Sequence, residues 1–144
     1  MRRGTGSTDR IQSYNLFGEQ GDLPDVVHCE TIRSRSVLNG WTFAPHRHER
    51  LHQVLFVESG GGVATLDGQS VALGPMSIVN VPIGHVHGYT FKRGTVGFVV
   101  TIAAEVLDQV LLTAEGLRRE LSRLAVVPAS GDVREMFESI FREY

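Results

Sequence analysis

A chain of 144 residues, 42% hydrophobic and 21% charged, is the size of one domain with a core of its own. Fourteen basic against 16 acidic residues leave a net charge of −2, without the basic face that nucleic acid needs, so this segment by itself is not expected to bind DNA. One cysteine, Cys29, excludes an internal disulfide framework, and there is neither a signal-peptide core nor an apolar run of membrane length, so the cytoplasm is the expected location.

Residues 1–13 are polar and rich in Gly, Ser and Thr, and read as an N-terminal arm. From Val26 to Val81, short β-branched segments alternate with turn signals, the clearest being Asp67-Gly68 in LDGQS, which predicts a hairpin. GPMSIVNVPIGHVHGYTF then reads as strand, Pro-Gly turn, strand, and TVGFVVTI places Val96, Phe98, Val100 and Ile102 on one face. So many short strands with regular turns predict a mainly β sandwich or small barrel over 14–103. After Ile102 the period becomes helical. Val106, Val110 and Leu111 repeat, as do Leu117, Leu121 and Leu124, with Gly116 expected to break or bend the segment. Asp132 is a candidate cap for a last helix whose Met136, Phe137, Ile140 and Tyr144 form an apolar stripe running to the end of the sequence. A partner or further sequence is expected to cover that stripe.

The chemistry gathers in PHRHERLHQVLFVESGGG. His46 and His48, two apart, share a face if they lie on a strand. His87, after the turn Pro82-Ile83-Gly84, is the natural third, with His85 turned the other way. Two or three imidazoles on one face suit a divalent transition metal. The fourth ligand is His52 or Gln53, His52 having the better donor chemistry. The bland reading, that these are hydrogen-bonded polar groups, has to meet the fact that five of the six histidines lie between 46 and 87. No phosphate-loop pattern accompanies the glycines, Gly60 to Gly62 reading instead as a tight turn. His28 beside Cys29 does not make a nucleophile–base pair by adjacency.

HRHERLHQVLFVESGGG followed by GPMSIVNVPIGHVHGYTF resembles the two motifs of the cupin barrel. His46 and His48 match the first motif, with Gln53 in the slot where the family has glutamate. Pro82, Gly84 and His87 match the second, with Phe91 in the asparagine slot. Nearly the whole chain, through IQSYNLFGE, HCETIRSRS, VPIGHVHGYTF, GTVGFVVTI and LAVVPASGDVREMFESIFREY, resembles the N-terminal sensing domain of AraC/XylS-type transcription regulators, in the PobR- and HpaA-like branch responsive to 4-hydroxybenzoate or 4-hydroxyphenylacetate. The resemblance implies a small double-stranded β-helix (cupin, jelly-roll) barrel followed by C-terminal α-helices. Residues 104–144 would serve dimerisation and linkage, and DNA would be reached only through a C-terminal domain absent from this chain. It implies an inducer-binding domain, not an enzyme, for a small aromatic carboxylate. The candidate ligand-binding residues are Arg35, Trp41, His46, His48, Arg50, His52, His87, Tyr89 and Phe91, with Phe43, Phe56, Val79 and Phe98 as further wall residues. The candidate metal ligands are His46, His48, His52 and His87, with Gln53 as the alternative fourth, for one divalent metal, zinc fitting best, and no organic cofactor. The competing expectation is a small metal-dependent cupin enzyme, a dioxygenase or isomerase.

Overall fold

The computed structural model describes residues 12–14 and 27–144. In chain order the elements are β1 (Gln12–Tyr14), β2 (Val27–Thr31), α1 (Ile32–Ser36), β3 (Thr42–His48), β4 (Leu51–Ser59), β5 (Gly62–Leu66), β6 (Gln69–Leu73), β7 (Ser77–Val81), β8 (His87–Phe91), β9 (Val96–Ala103), α2 (Ala104–Val110), α3 (Glu115–Leu121), β10 (Ala125–Pro128) and α4 (Val133–Glu143). The strands form two five-stranded sheets, ordered β1-β3-β8-β5-β6 and β10-β7-β4-β9-β2. Their facing sides enclose the core of a double-stranded β-helix, the expected jelly-roll. Of the expected polar arm, only Gln12 and Ser13 fall within the described residues, in β1. No described helix is long and apolar enough to cross a membrane.

Turn chemistry sets the register. Asp67 and Gly68 both take positive φ, 47° and 82°, the pattern of a tight two-residue hairpin between β5 and β6. At Gly62, φ is 155° and a Cβ would lie 2.0 Å from the Thr90 carbonyl oxygen, so the close approach of β5 to β8 admits only glycine there.

β4 is buried on both sides, which is why its middle, Val54 to Val57, is apolar without alternation. Leu55 and Val57 face the barrel interior with Val79, Val81, Tyr89, Phe91 and Val99. Phe56 and Phe98 were expected to line the ligand slot. They lie instead on the opposite face of the sheet, in a second core with Cys29, Val100 and Phe137. Burial pushes the Cys29 thiol up to about 11 and leaves it a small unreactive hydrophobe.

The apolar back of the second sheet explains the last helix. Phe137 stacks on Phe56 at 5.1 Å and on Phe98 at 6.3 Å between ring centroids, while Val133 and Ile140 pack around them. Arg134 pairs with Glu58 at 2.9 Å beside this contact. Half of the expected stripe, Phe137 and Ile140, is therefore covered within the domain, while Met136 (61% exposed) and Tyr144 (60%) turn outward. The helical segment before it breaks at residues 111–114, where Leu111 is buried as a plug, and Gly116 sits inside α3 instead of breaking it. Residues 125–128 return to the second sheet as β10, antiparallel to β7, a strand the sequence pattern did not announce.

Phe137→Ala should cost about 3–5 kcal/mol of stability, because it leaves a cavity against Phe56 and Phe98. Met136→Ala one residue earlier should cost under about 0.5 kcal/mol. Equilibrium denaturation of the two variants checks the docking face, and similar losses for both would contradict it.

Candidate ligand and metal site

β3 and β8 run antiparallel with His46 opposite His87, so the pleat aims both rings inward, and His48 follows two residues on. The ladder slips between Phe43 and His46, where Pro45 cannot donate a hydrogen bond. Ring centroids lie 4.4 Å apart for His46 and His87, 5.0 Å for His46 and His48, and 5.4 Å for His48 and His87. One nitrogen from each ring falls within 4.8 Å of the others. His48 and His87 are buried and His46 partly so.

Backbone carbonyls set the tautomers. His46 donates from Nδ1 to the Ala44 oxygen and His87 from Nδ1 to the His85 oxygen, each at 2.9 Å, which puts the lone pair of each neutral ring on Nε2. Burial pushes the His48 ring down to about 3 and His87 to about 4, with the neighbouring imidazoles lowering both further, and His46 is lowered as well. Near neutral pH the cluster is three uncharged imidazoles, the form that binds metal.

Gln53 completes the group. Its Oε1 stands 3.1 Å from His87 Nε2, while its Nε2 donates to Thr101 Oγ1 at 3.3 Å across the β4–β9 pair. With Nδ1 of His87 carrying the proton, Nε2 and Oε1 are two lone pairs facing each other. A half-turn of the amide relieves this in the absence of a cation, and a cation relieves it as it stands. Three neutral nitrogens and one amide oxygen fit a divalent transition metal.

His52, the expected better fourth ligand, is not there. One position along a strand reverses the side chain, so His52 faces away and donates from Nε2 to Asn80 Oδ1 at 2.6 Å. Asn80 in turn donates to the Leu121 and Arg123 carbonyls at 3.0 and 2.8 Å, satisfying the end of α3. Arg50 is likewise displaced. It sits in the turn between β3 and β4, where strand parity does not carry, and pairs with Glu105 on the surface. Trp41, held at φ 64°, lines an outer groove with Arg33 and Arg93 and touches only the edge of the interior core.

Arg35 on α1 is brought to the site. With Phe43, His46, Gln53, Tyr89 and Phe91 it lines an interior cavity of about 20 Å³. Its guanidinium lies 5.9 Å from the centre of the Phe43 ring, and its carboxylate neighbour Glu30 is 3.9 Å away, at the limit of an ion pair. Phe91 fills the asparagine slot as an interior ring, stacked on Tyr89 at 5.3 Å.

Two functional neighbours escaped the sequence reading. Asn80 is one. The other is Asp67, read only as a turn residue, whose carboxylate accepts from His85 Nδ1 at 2.7 Å and from the Val86 N–H at 2.9 Å. It thereby anchors the loop whose His85 carbonyl fixes the His87 ring. An acidic residue at the hairpin tip was the available signal.

With barrel, cluster and cavity in place, comparison with known proteins decides the family. The sequence profile of the AraC-like ligand binding domain matches residues 29–144. This chain belongs to that family. As an AraC-like ligand-binding domain, it is a small-molecule-sensing module built on a cupin-type barrel. Among solved structures it is similar to KdgF from Halomonas sp. (24% identity, TM-score 0.41, covering 43% of this chain and 57% of that one). It is also similar to Pac13 from Streptomyces, described as a unique nucleoside dehydratase (25% identity, TM-score 0.35, 44% and 48%). A cupin protein from Bacteroides fragilis covers 62% of this chain and 87% of its own at 14% identity and TM-score 0.40. The first two matches are spanned over only 57% and 48% of their own lengths. No curated protein sequence matches the chain.

The neutral cluster sets a pH dependence. Folded values of about 3 and about 4 stand against an ordinary 6.5, so as pH falls the unfolded chain takes up these protons first. Stability of the metal-free domain should be complete above about pH 6.5 and decline as pH falls toward 4. Urea midpoints of chelator-treated protein across that range report it, and a flat profile would mean that the rings are solvated in the folded state.

Proposed function

We propose that this domain senses a small aromatic carboxylate of the 4-hydroxybenzoate or 4-hydroxyphenylacetate kind, and that it returns the ligand unchanged. The observation that carries the reading is Arg35, a guanidinium 3.9 Å from Glu30 that also lines an aromatic-walled cavity with His46 of the histidine cluster. A planar fork suits a carboxylate, and Phe43, Tyr89 and Phe91 suit an aromatic ring.

The cavity of about 20 Å³ is far smaller than the roughly 300–1,000 Å³ of ordinary ligand pockets. A ligand therefore has to part the aromatic walls, and so changes the structure as it binds. A sensor requires this, since a ligand shifts an equilibrium only through its different affinity for the two states.

His46, His48 and His87, with Gln53, would hold one divalent metal, zinc by preference for this donor set. The ion would supply a Lewis-acidic partner for a ligand oxygen. Binding without turnover is supported by the cluster itself. It contains no carboxylate, and imidazoles held at about 3 and about 4 are poor general bases near neutral pH. The competing reading, a metal-dependent cupin enzyme, draws on the same three-histidine group.

The proposal extends to assembly. Val110 and Leu112 at the end of α2 and Leu117 on α3 are exposed, apolar side chains that a homodimer would cover. DNA contact would fall to a helix-turn-helix domain outside this sequence, and such a regulator would work in the cytoplasm.

A calorimetric titration of 4-hydroxybenzoate in air, into zinc-loaded and chelator-treated protein, tests the reading. Saturation near one ligand per chain, with the acid recovered intact and at least about tenfold weaker binding by Arg35→Ala, is the expected outcome. Heat that continues past saturation, with loss of the acid, would replace the sensor by an enzyme.

A further inference from the structure

Tyr89 is the one cavity residue whose polar group the proposed function leaves without a task. It stands on β8 between two functional neighbours. Its ring stacks on Phe91 at 5.3 Å and 13°, and meets the His87 ring edgewise at 6.1 Å. The residue is 7% exposed, and its hydroxyl has no hydrogen-bond partner among the described residues. Buried hydroxyls are nearly always paired, because burial strips their water without compensation. A phenylalanine would fill the same aromatic stack without that cost. The hydroxyl therefore has a use that the ligand-free domain does not display.

The size of the cavity narrows what that use is. About 20 Å³ is room for one small polar group and little more. Tyr89 and Arg35 both line it, close enough for the guanidinium charge to act on the phenol. Burial raises the phenol far above its ordinary range, so it stays a neutral donor at every working pH. A neutral O–H beside a fixed cation suits an oxyanion, with Arg35 supplying the charge and Tyr89 a directed hydrogen bond.

We propose that Tyr89 is a specificity-determining contact for the ligand carboxylate, forming with Arg35 a two-point clamp that selects acids over their neutral analogues. This rests on the sensor reading above. In the bound state the Tyr89 O–H donates to one carboxylate oxygen while the Arg35 fork holds the other. The unpaired hydroxyl of the free domain is the cost of keeping that donor ready. His46 and Gln53, on the same cavity wall, are left for the metal.

The test compares wild type with Tyr89→Phe by titrating benzoate, 4-hydroxybenzoate and neutral 4-hydroxybenzamide, together with thermal melts of the ligand-free proteins. The clamp requires Tyr89→Phe to weaken both acids by the same factor, about 10- to 100-fold, and to leave 4-hydroxybenzamide unaffected. It also requires the ligand-free variant to melt no lower than wild type, since the change removes an unpaired hydroxyl; a merely structural hydroxyl would lower the melting temperature. Equal binding of the acids by both proteins would overturn the clamp and leave the sensor reading intact. So would a loss confined to 4-hydroxybenzoate, which would assign Tyr89 to the ring substituent. If wild type binds neither acid, the sensor reading fails and the clamp fails with it.

Discussion

Burying His46, His48 and His87 side by side imposes one condition on the rest of the barrel, that none of the three rings carries charge. A second imidazolium a few ångströms away, in a largely buried site, is a costly arrangement. The surroundings are built to that condition. The carbonyls of Ala44 and His85 take the Nδ1 protons, and Asp67 pins the loop that presents the second of these carbonyls. No carboxylate belongs to the group to pull the rings toward the charged form. What results is a set of three neutral imidazoles with one nitrogen of each within 4.8 Å of the others, suited to a cation and ill suited to proton transfer.

β4 shows how one strand serves two purposes through its alternation. Its inward positions carry Gln53 to the cluster and Leu55 and Val57 to the core. Its outward positions carry His52 to Asn80 and Phe56 to Phe137 on α4. Asn80 spans the remaining distance, one amide joining the imidazole on β4 to the carbonyls of Leu121, the last residue of α3, and Arg123 just beyond it. The outer face of the second sheet and the segment that closes α3 are thus joined by hydrogen bonds through Asn80.

How much of this was legible follows from which signals are local. The pairing of His46 with His48, the placement of His87 after a Pro-x-Gly turn and the interior position of Phe91 all rest on period two and a recognisable turn, and the barrel follows from the same patterns. Donor chemistry misled where parity would have served: His52 is the better ligand but the wrong face, and Gln53 takes the place. Arg50 failed for the opposite reason, because parity was carried through a turn that resets it. Phe56 and Phe98 could not be assigned to a core from a strand apolar on both sides; that needs α4, which is distant in sequence and local only in space. β10 was hidden by its own Pro128, tolerable because the strand lies at the sheet's edge.

Arg35 gives the small cavity a mechanical consequence. It shares α1, five residues long, with Ile32, a fully buried side chain of the interior core. The chain packs so tightly here that a Cβ on Gly97 would lie 2.8 Å from the Ile32 side chain and 1.9 Å from the Phe56 carbonyl oxygen. A helix this short has no stability of its own and takes its position from what it packs against. A ligand of the proposed kind, parting Phe43, Tyr89 and Phe91 and drawing Arg35 to its carboxylate, would load α1 from the inside of the barrel. The second sheet, into which Ile32 is keyed beside β9, receives that load. On its far face are Phe98, Phe137 and the last helix. A small cavity is therefore an asset to a sensor: the less room the ligand finds, the more of its binding energy is spent on displacing the structure around it.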